Sequence, residues 1–137
     1  MGTDYVLTTR IERRNQEAVN AEETGDIEKA TRIYEQNIRE DYADKFSFER
    51  LMVIYRKQKE YADELRVINR GVEVFQQHLE QHVTHSLSRR IGEEKLRQLS
   101  AAITKKSLLK KESLSFPDPI HKWIKRKEIV LAKLKHN

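Results

Sequence analysis

Apolar residues recur at intervals of three and four along most of this chain, and little interrupts them. Ile27, Ala30, Ile33, Tyr34 and Ile38 form one stripe, and Tyr61, Leu65, Ile68, Val72 and Phe75 form another. An interval near 3.6 places such side chains on one side of an α-helix. The 137 residues include only 4 glycines and 2 prolines. A sandwich or barrel needs a turn every 8–12 residues or so, and this scarcity argues against one. No segment shows sustained period-two alternation. The expected fold class is all-α.

The length suits one domain or one short array of repeats. Cysteine is absent, which removes disulfides, a thiolate nucleophile and any zinc site with Cys ligands. No stretch approaches the ~18 consecutive apolar residues of a membrane span. The N-terminal segment lacks an apolar run of signal-peptide length. The expectation is a cytoplasmic protein without a membrane span.

The chain divides into helices at a few polar breaks. A first helix is expected over about 8–24, closed by Gly25 in the left-handed conformation, with Asp26 capping the second. A break at 41–44 offers Asp44 as the next N-cap. Phe48, Leu51, Met52 and Tyr55 follow as a stripe, and 57–60 is a polar turn. The helix that starts near Tyr61 is expected to extend through Leu79 and Val83 to about Leu87. Another is expected near 89–111, carrying Ile91, Leu96, Leu99, Ile103 and Leu108. Asp118-Pro119 then reads as N-cap and first helical residue of a last helix with Ile120, Trp123, Ile124, Val130, Leu131 and Leu134.

Shifting the chain by 34 residues aligns part of it with itself. Ala18 then meets Met52, Ala21 meets Tyr55, Ile27 meets Tyr61, Ile33 meets Val67, Tyr34 meets Ile68, and the Gly25 turn meets the turn at Lys59. Each unit is a helix, a tight turn and a second helix. Neither helix buries its stripe alone, and stacking the units makes one core.

The run from Ala18 through Ala21, Gly25, Ile27, Ala30 and Tyr34 resembles one unit of the tetratricopeptide repeat. Leu51, Met52, Tyr55, Tyr61 and Ile68 resemble the next. The resemblance covers about 15–75. The family's inter-unit proline is Tyr42 here, and in the second unit its turn glycine is Lys59 and its small residue is Glu64. The resemblance implies antiparallel hairpins in a right-handed superhelix over 8–75; the residues beyond read as a helical extension over 76–112 and a capping helix over 118–136 of the same single domain. It also implies a non-catalytic adaptor that binds a protein or peptide in a groove lined by the first helix of each unit. The groove positions carried over are Glu12, Asn15, Val19, Glu22 and Glu23, then Phe46, Glu49, Val53, Arg56 and Lys57.

Charge is unevenly spread. Residues 1–68 hold 12 Lys/Arg against 15 Asp/Glu, whereas 69–137 hold 15 against 7. The shift in sign falls near the end of the repeat-like segment. It fits a repeat module with a distinct basic C-terminal element better than a uniform nucleic-acid binder. A nucleic-acid-associated protein remains the alternative, through Lys105-Lys106, Lys110-Lys111 and 122–127. So does a regulatory subunit docking through its basic amphipathic last helix, with Trp123, Lys125, Arg126 and Lys127.

His78, His82 and His85 share one helical face at i, i+4 and i+7. They are weak metal candidates, because one helix gives three ligands poor tetrahedral geometry; no metal or cofactor is expected. No phosphate-binding glycine loop or G-x-S-x-G motif is present, and no enzymatic activity is expected. A short repeat array leaves an apolar end open, so a homo-oligomer is a live alternative.

Overall fold

The structure is a computed structural model that describes residues 2–40, 44–92, 95, 97, 98 and 116–136, with side chains described outside 2–8 and 86–91. Five helices are delimited among these residues. They are α1 (Gly2–Glu23), α2 (Ile27–Arg39), α3 (Lys45–Lys57), α4 (Tyr61–Ile91) and α5 (Ile120–His136). No strand occurs among the described residues. The described residues form an all-α structure, as the apolar spacing predicts.

The turns α1–α2 and α3–α4 repeat each other bond for bond. Gly25 stands at φ +85 and Lys59 at φ +58. The Gly25 N–H donates to the Glu22 carbonyl, and the Asp26 N–H to that of Ala21. Thirty-four residues on, Lys59 donates to Arg56 and Glu60 to Tyr55. This is the pairing that closes a helix on a left-handed residue. Glycine takes that conformation freely, whereas at Lys59 the Cβ opposes it. The Asp26 carboxylate also caps α2, accepting from the Lys29 N–H at 3.2 Å.

Successive helices pack in order, α1 on α2, α2 on α3, α3 on α4 and α4 on α5. One apolar cluster runs through the stack, from Ala18 and Ala21 through Tyr34, Phe48, Leu51 and Ile68 to Trp123 and Val130. Ala30 is fully buried at the α1–α2 approach. Its counterpart 34 residues on, Glu64, is also fully buried, so the second hairpin closes over a carboxylate.

Three boundaries differ from the sequence expectation. The first helix begins at Gly2 rather than near residue 8. The fourth runs without a break to Ile91, where a new helix was expected from 89. Nothing between Phe75 and Ile91 stops a helix, and Gly92, at φ +80, is the first residue that does. Pro119 stands just before α5 rather than in its first position, and its carbonyl accepts from the Trp123 N–H at 3.0 Å. The remainder of the helix expected over 89–111 lies mostly outside the described residues.

The last helix returns along α4 in the opposite direction. Trp123 meets Gly71 and Phe75, Arg126 meets Glu64, and Lys133 lies over the Tyr61 ring at 5.4 Å. Ile120, Trp123 and Val130 are buried. Leu131, expected on the covered side, remains 45% exposed, because the buried stripe runs through Val130 instead.

Trp123, the only tryptophan, is held by rings of two helices. Its centroid lies 5.1 Å from Phe75 and 5.8 Å from Phe48. A Cβ on Gly71 would stand 3.0 Å from Trp123 and 3.2 Å from Phe48. Alanine favours a helix over glycine by about 1 kcal/mol. Here that gain meets an occupied ring stack, and overpacking costs typically about 1–3 kcal/mol. Gly71→Ala is therefore expected to lower the unfolding midpoint and shift Trp123 emission towards that of exposed indole. Equal or higher stability with unchanged emission would show free space at this seam.

Candidate functional site

The outer face of α3 carries Phe46, Glu49, Val53, Arg56 and Lys57, the positions expected to line a groove. Its charged residues reach to opposite sides. Arg50 contacts Glu22 of α1 through two nitrogens, one of them Nε at 3.2 Å. On the other side Lys122 of α5 donates to Glu49. Arg56 lies 3.7 Å from Glu64, which accepts from Arg126 of α5 at 2.7 and 3.1 Å. These contacts set α1 and α5 on either side of α3. Val53 lies between them, partly exposed.

The expected site residues divide into exposed groups and groups held within the fold. Glu12, Glu23, Phe46, Arg56 and Lys57 are exposed, and Val19 and Val53 are half-buried. Phe46 is 42% exposed and rests edge-on against Tyr34, with centroids 6.0 Å apart. Glu22 and Glu49 join helices, and Glu49 also faces Lys45 at 3.7 Å.

Asn15 lies in a polar ring that ties α1, α2 and α3. Asn37 Nδ2 donates to Asn15 Oδ1 at 2.9 Å and to Ser47 Oγ at 3.1 Å. Asn15 Nδ2 donates to Asp44 Oδ2 at 3.0 Å, and the Ser47 hydroxyl donates to the same carboxylate. Ser47 Oγ is also 3.0 Å from Asn15 Oδ1. One hydroxyl proton serves one acceptor best, and the charged carboxylate is the stronger. Asn37 and Ser47 are fully buried; the ring satisfies Ser47 and the Asn37 amide nitrogen, and Arg14 donates to Asn37 Oδ1 at 3.5 Å. Asp44 does precede α3, but its side chain serves this ring and makes no cap bond.

Two further carboxylates repeat one arrangement. Glu22 of α1 accepts from the Tyr34 hydroxyl at 2.7 Å and from Arg50 of α3. Glu35 of α2 accepts from the Tyr55 hydroxyl at 2.6 Å and from Arg66 of α4. Each glutamate thus joins its helix to the next through a tyrosine and to the one after through an arginine. Burial pushes both carboxyls up, but the arginine and tyrosine hydrogen bonds outweigh it and hold them below the ordinary range. Burial, then the neighbouring carboxylate, raises the Tyr34 and Tyr55 hydroxyls. The sequence reading missed this arrangement, because the partners lie 12 and 28 residues from Glu22 but 20 and 31 from Glu35. No fixed offset reveals them.

In α5, Trp123 is buried in the core and Arg126 is tied to Glu64, whereas Lys125 is exposed and Lys127 half-buried. The apolar side of this helix is therefore engaged within the fold. His78, His82 and His85 are exposed along the outer part of α4. Among the described residues no three His, Cys, Asp or Glu side chains come together to hold a metal ion. Lys105-Lys106 and Lys110-Lys111 lie outside the described residues.

Comparison with protein-family models, with curated proteins and with solved structures gives no match to this chain.

Of the ion pairs Glu64–Arg126 and Glu49–Lys122, which tie α5 to the hairpins, the first is the more buried. Removing one member of a buried pair leaves the other uncompensated, at a cost of about 3–5 kcal/mol. Arg56, 3.7 Å from Glu64, offsets part of that cost, so Arg126→Ala is expected to destabilise by somewhat less than this in urea unfolding. Glu64→Leu combined with Arg126→Met should recover most of the loss. A loss of about 0.5 kcal/mol or less for Arg126→Ala, the range of exposed pairs, would remove the pair as an anchor.

Proposed function

We propose that this chain is a non-catalytic protein-interaction module. It binds a peptide or helix on a concave, tetratricopeptide-like face formed by α1 and α3. The reading rests on one observation above the others. The two helical hairpins repeat the same turn bonds at a spacing of 34 residues, and between them α3 presents Phe46 and Val53 framed by charge. Aromatic and aliphatic side chains ringed by polar groups suit a bound segment, with apolar contacts supplying affinity and charges setting its register.

The geometry also decides which substitutions test the reading. Glu49 and Arg56 lie on the expected face, but both pair with partners that hold α5, so reversing their charge would disturb the fold as well. Phe46 and Lys57 are exposed, and neither forms an ion pair among the described residues. In capture from native lysate, Phe46→Ser with Lys57→Glu is expected to weaken retention of a specifically bound protein by about 10-fold or more, roughly 1.4 kcal/mol. The circular dichroism spectrum should stay unchanged. Undiminished capture by the folded double variant would remove α3 as the binding face.

A further inference from the structure

The outward face of α5 carries Lys122, Lys125, Ile129 and Lys133 at steps of three, four and four, which aligns them along one helical stripe. Ile129 is 49% exposed, the most exposed large apolar side chain among the described residues. The stripe borders the proposed binding face. Lys122 reaches Glu49 of α3, and Lys133 lies over Tyr61 at the start of α4. Val53 is partly exposed on the α3 side of the same seam. The carboxylates at this seam are already matched, Glu49 by Lys122 and Glu64 by Arg126. Lys125 has no ion pair among the described residues and leaves uncompensated positive charge beside Ile129.

We propose that α5 forms a second wall of the binding face, and that the α3–α5 seam docks an acidic amphipathic segment of a partner protein. Val53 and Ile129 supply apolar contact, and Lys125 and Lys133 pair with the segment's carboxylates. The proposal rests on the interaction-module reading and deepens it by assigning the sign of the partner's charge. An apolar residue among lysines favours a peptide with alternating acidic and apolar faces over a bare polyanion, which gains nothing from Ile129.

The 137-residue chain is the target for selection from a phage-displayed library of random 16-residue peptides. Enriched peptides are then synthesised and measured by fluorescence anisotropy, with a 20-nucleotide oligothymidine as the competing polyanion. The expected result is enrichment of sequences with Asp or Glu interleaved with apolar residues at spacings of three and four. Their affinity should fall about 10-fold or more in Ile129→Ser and in Lys125→Glu, and the oligonucleotide should bind more weakly than the peptides. Both side chains are exposed, and unchanged circular dichroism verifies the fold. Three outcomes overturn the proposal: absence of enrichment, enriched peptides that are not acidic, or oligonucleotide binding that is tighter and indifferent to Ile129→Ser. Acidic peptides that lose affinity with Phe46→Ser but not with Ile129→Ser overturn the role of α5 and leave the interaction-module reading standing. Peptides indifferent to both substitutions overturn both.

Discussion

At the inner seams of this stack a buried or half-buried glutamate meets an arginine from another helix. Glu22 takes Arg50, Glu35 takes Arg66 and Glu64 takes Arg126. A carboxylate withdrawn from water is unfavourable unless paired, so each of these glutamates admits one arrangement of its neighbours and penalises slippage. Apolar stripes are more permissive, because helices with similar faces pack in several registers. The tyrosines sharpen the constraint. Tyr34 and Tyr55 each donate to the glutamate that also receives an arginine, so three helices meet at one carboxylate. The polar ring of Asn15, Asn37, Ser47 and Asp44 also joins α1, α2 and α3, with Arg14 donating to Asn37 Oδ1 from outside it.

The placement of α5 follows from these constraints. Glu64 stands where the first hairpin has Ala30, and its buried charge calls for a cation that neither hairpin supplies in full. Arg56 approaches only to 3.7 Å, and Arg126 completes the pairing. Gly71 leaves the space into which Trp123 fits between Phe48 and Phe75. The last helix thereby lies beside α3 on the side opposite α1. Lys122, Lys125 and Lys133 of α5 thus lie on one stripe beside the hairpins.

Much of the hairpin architecture was legible in sequence because it depends on local rules. Spacing marks the buried side of α2 and α3, Gly25 and Asp26 mark the first turn, and the 34-residue shift carries that turn to Lys59 despite the loss of glycine. Phe46 and Val53 came from the repeat resemblance, as positions expected to line a groove. The resemblance did not show which polar residues on that face were already engaged. Asn15 and Glu22 have the right periodicity, yet their partners are set by the three-dimensional stack. The site of α5 was illegible for the same reason. Residues 92–119 separate it from α4, so no repeat offset positions it. Ile129 was overlooked because a single isoleucine among lysines carries little weight until the buried stripe of its helix is known.

The central claim is that α5 belongs to one cooperative unit with the two hairpins, and so forms part of the face they present. Trp123 reports its docking alone, whereas far-ultraviolet circular dichroism reports all the helices. Urea unfolding followed by both signals on the same samples tests this most directly. Coincident transitions with one midpoint and one slope are the predicted result. Exposure of Trp123 at lower urea than the loss of helix, or an indole already exposed to water in the native chain, would contradict it.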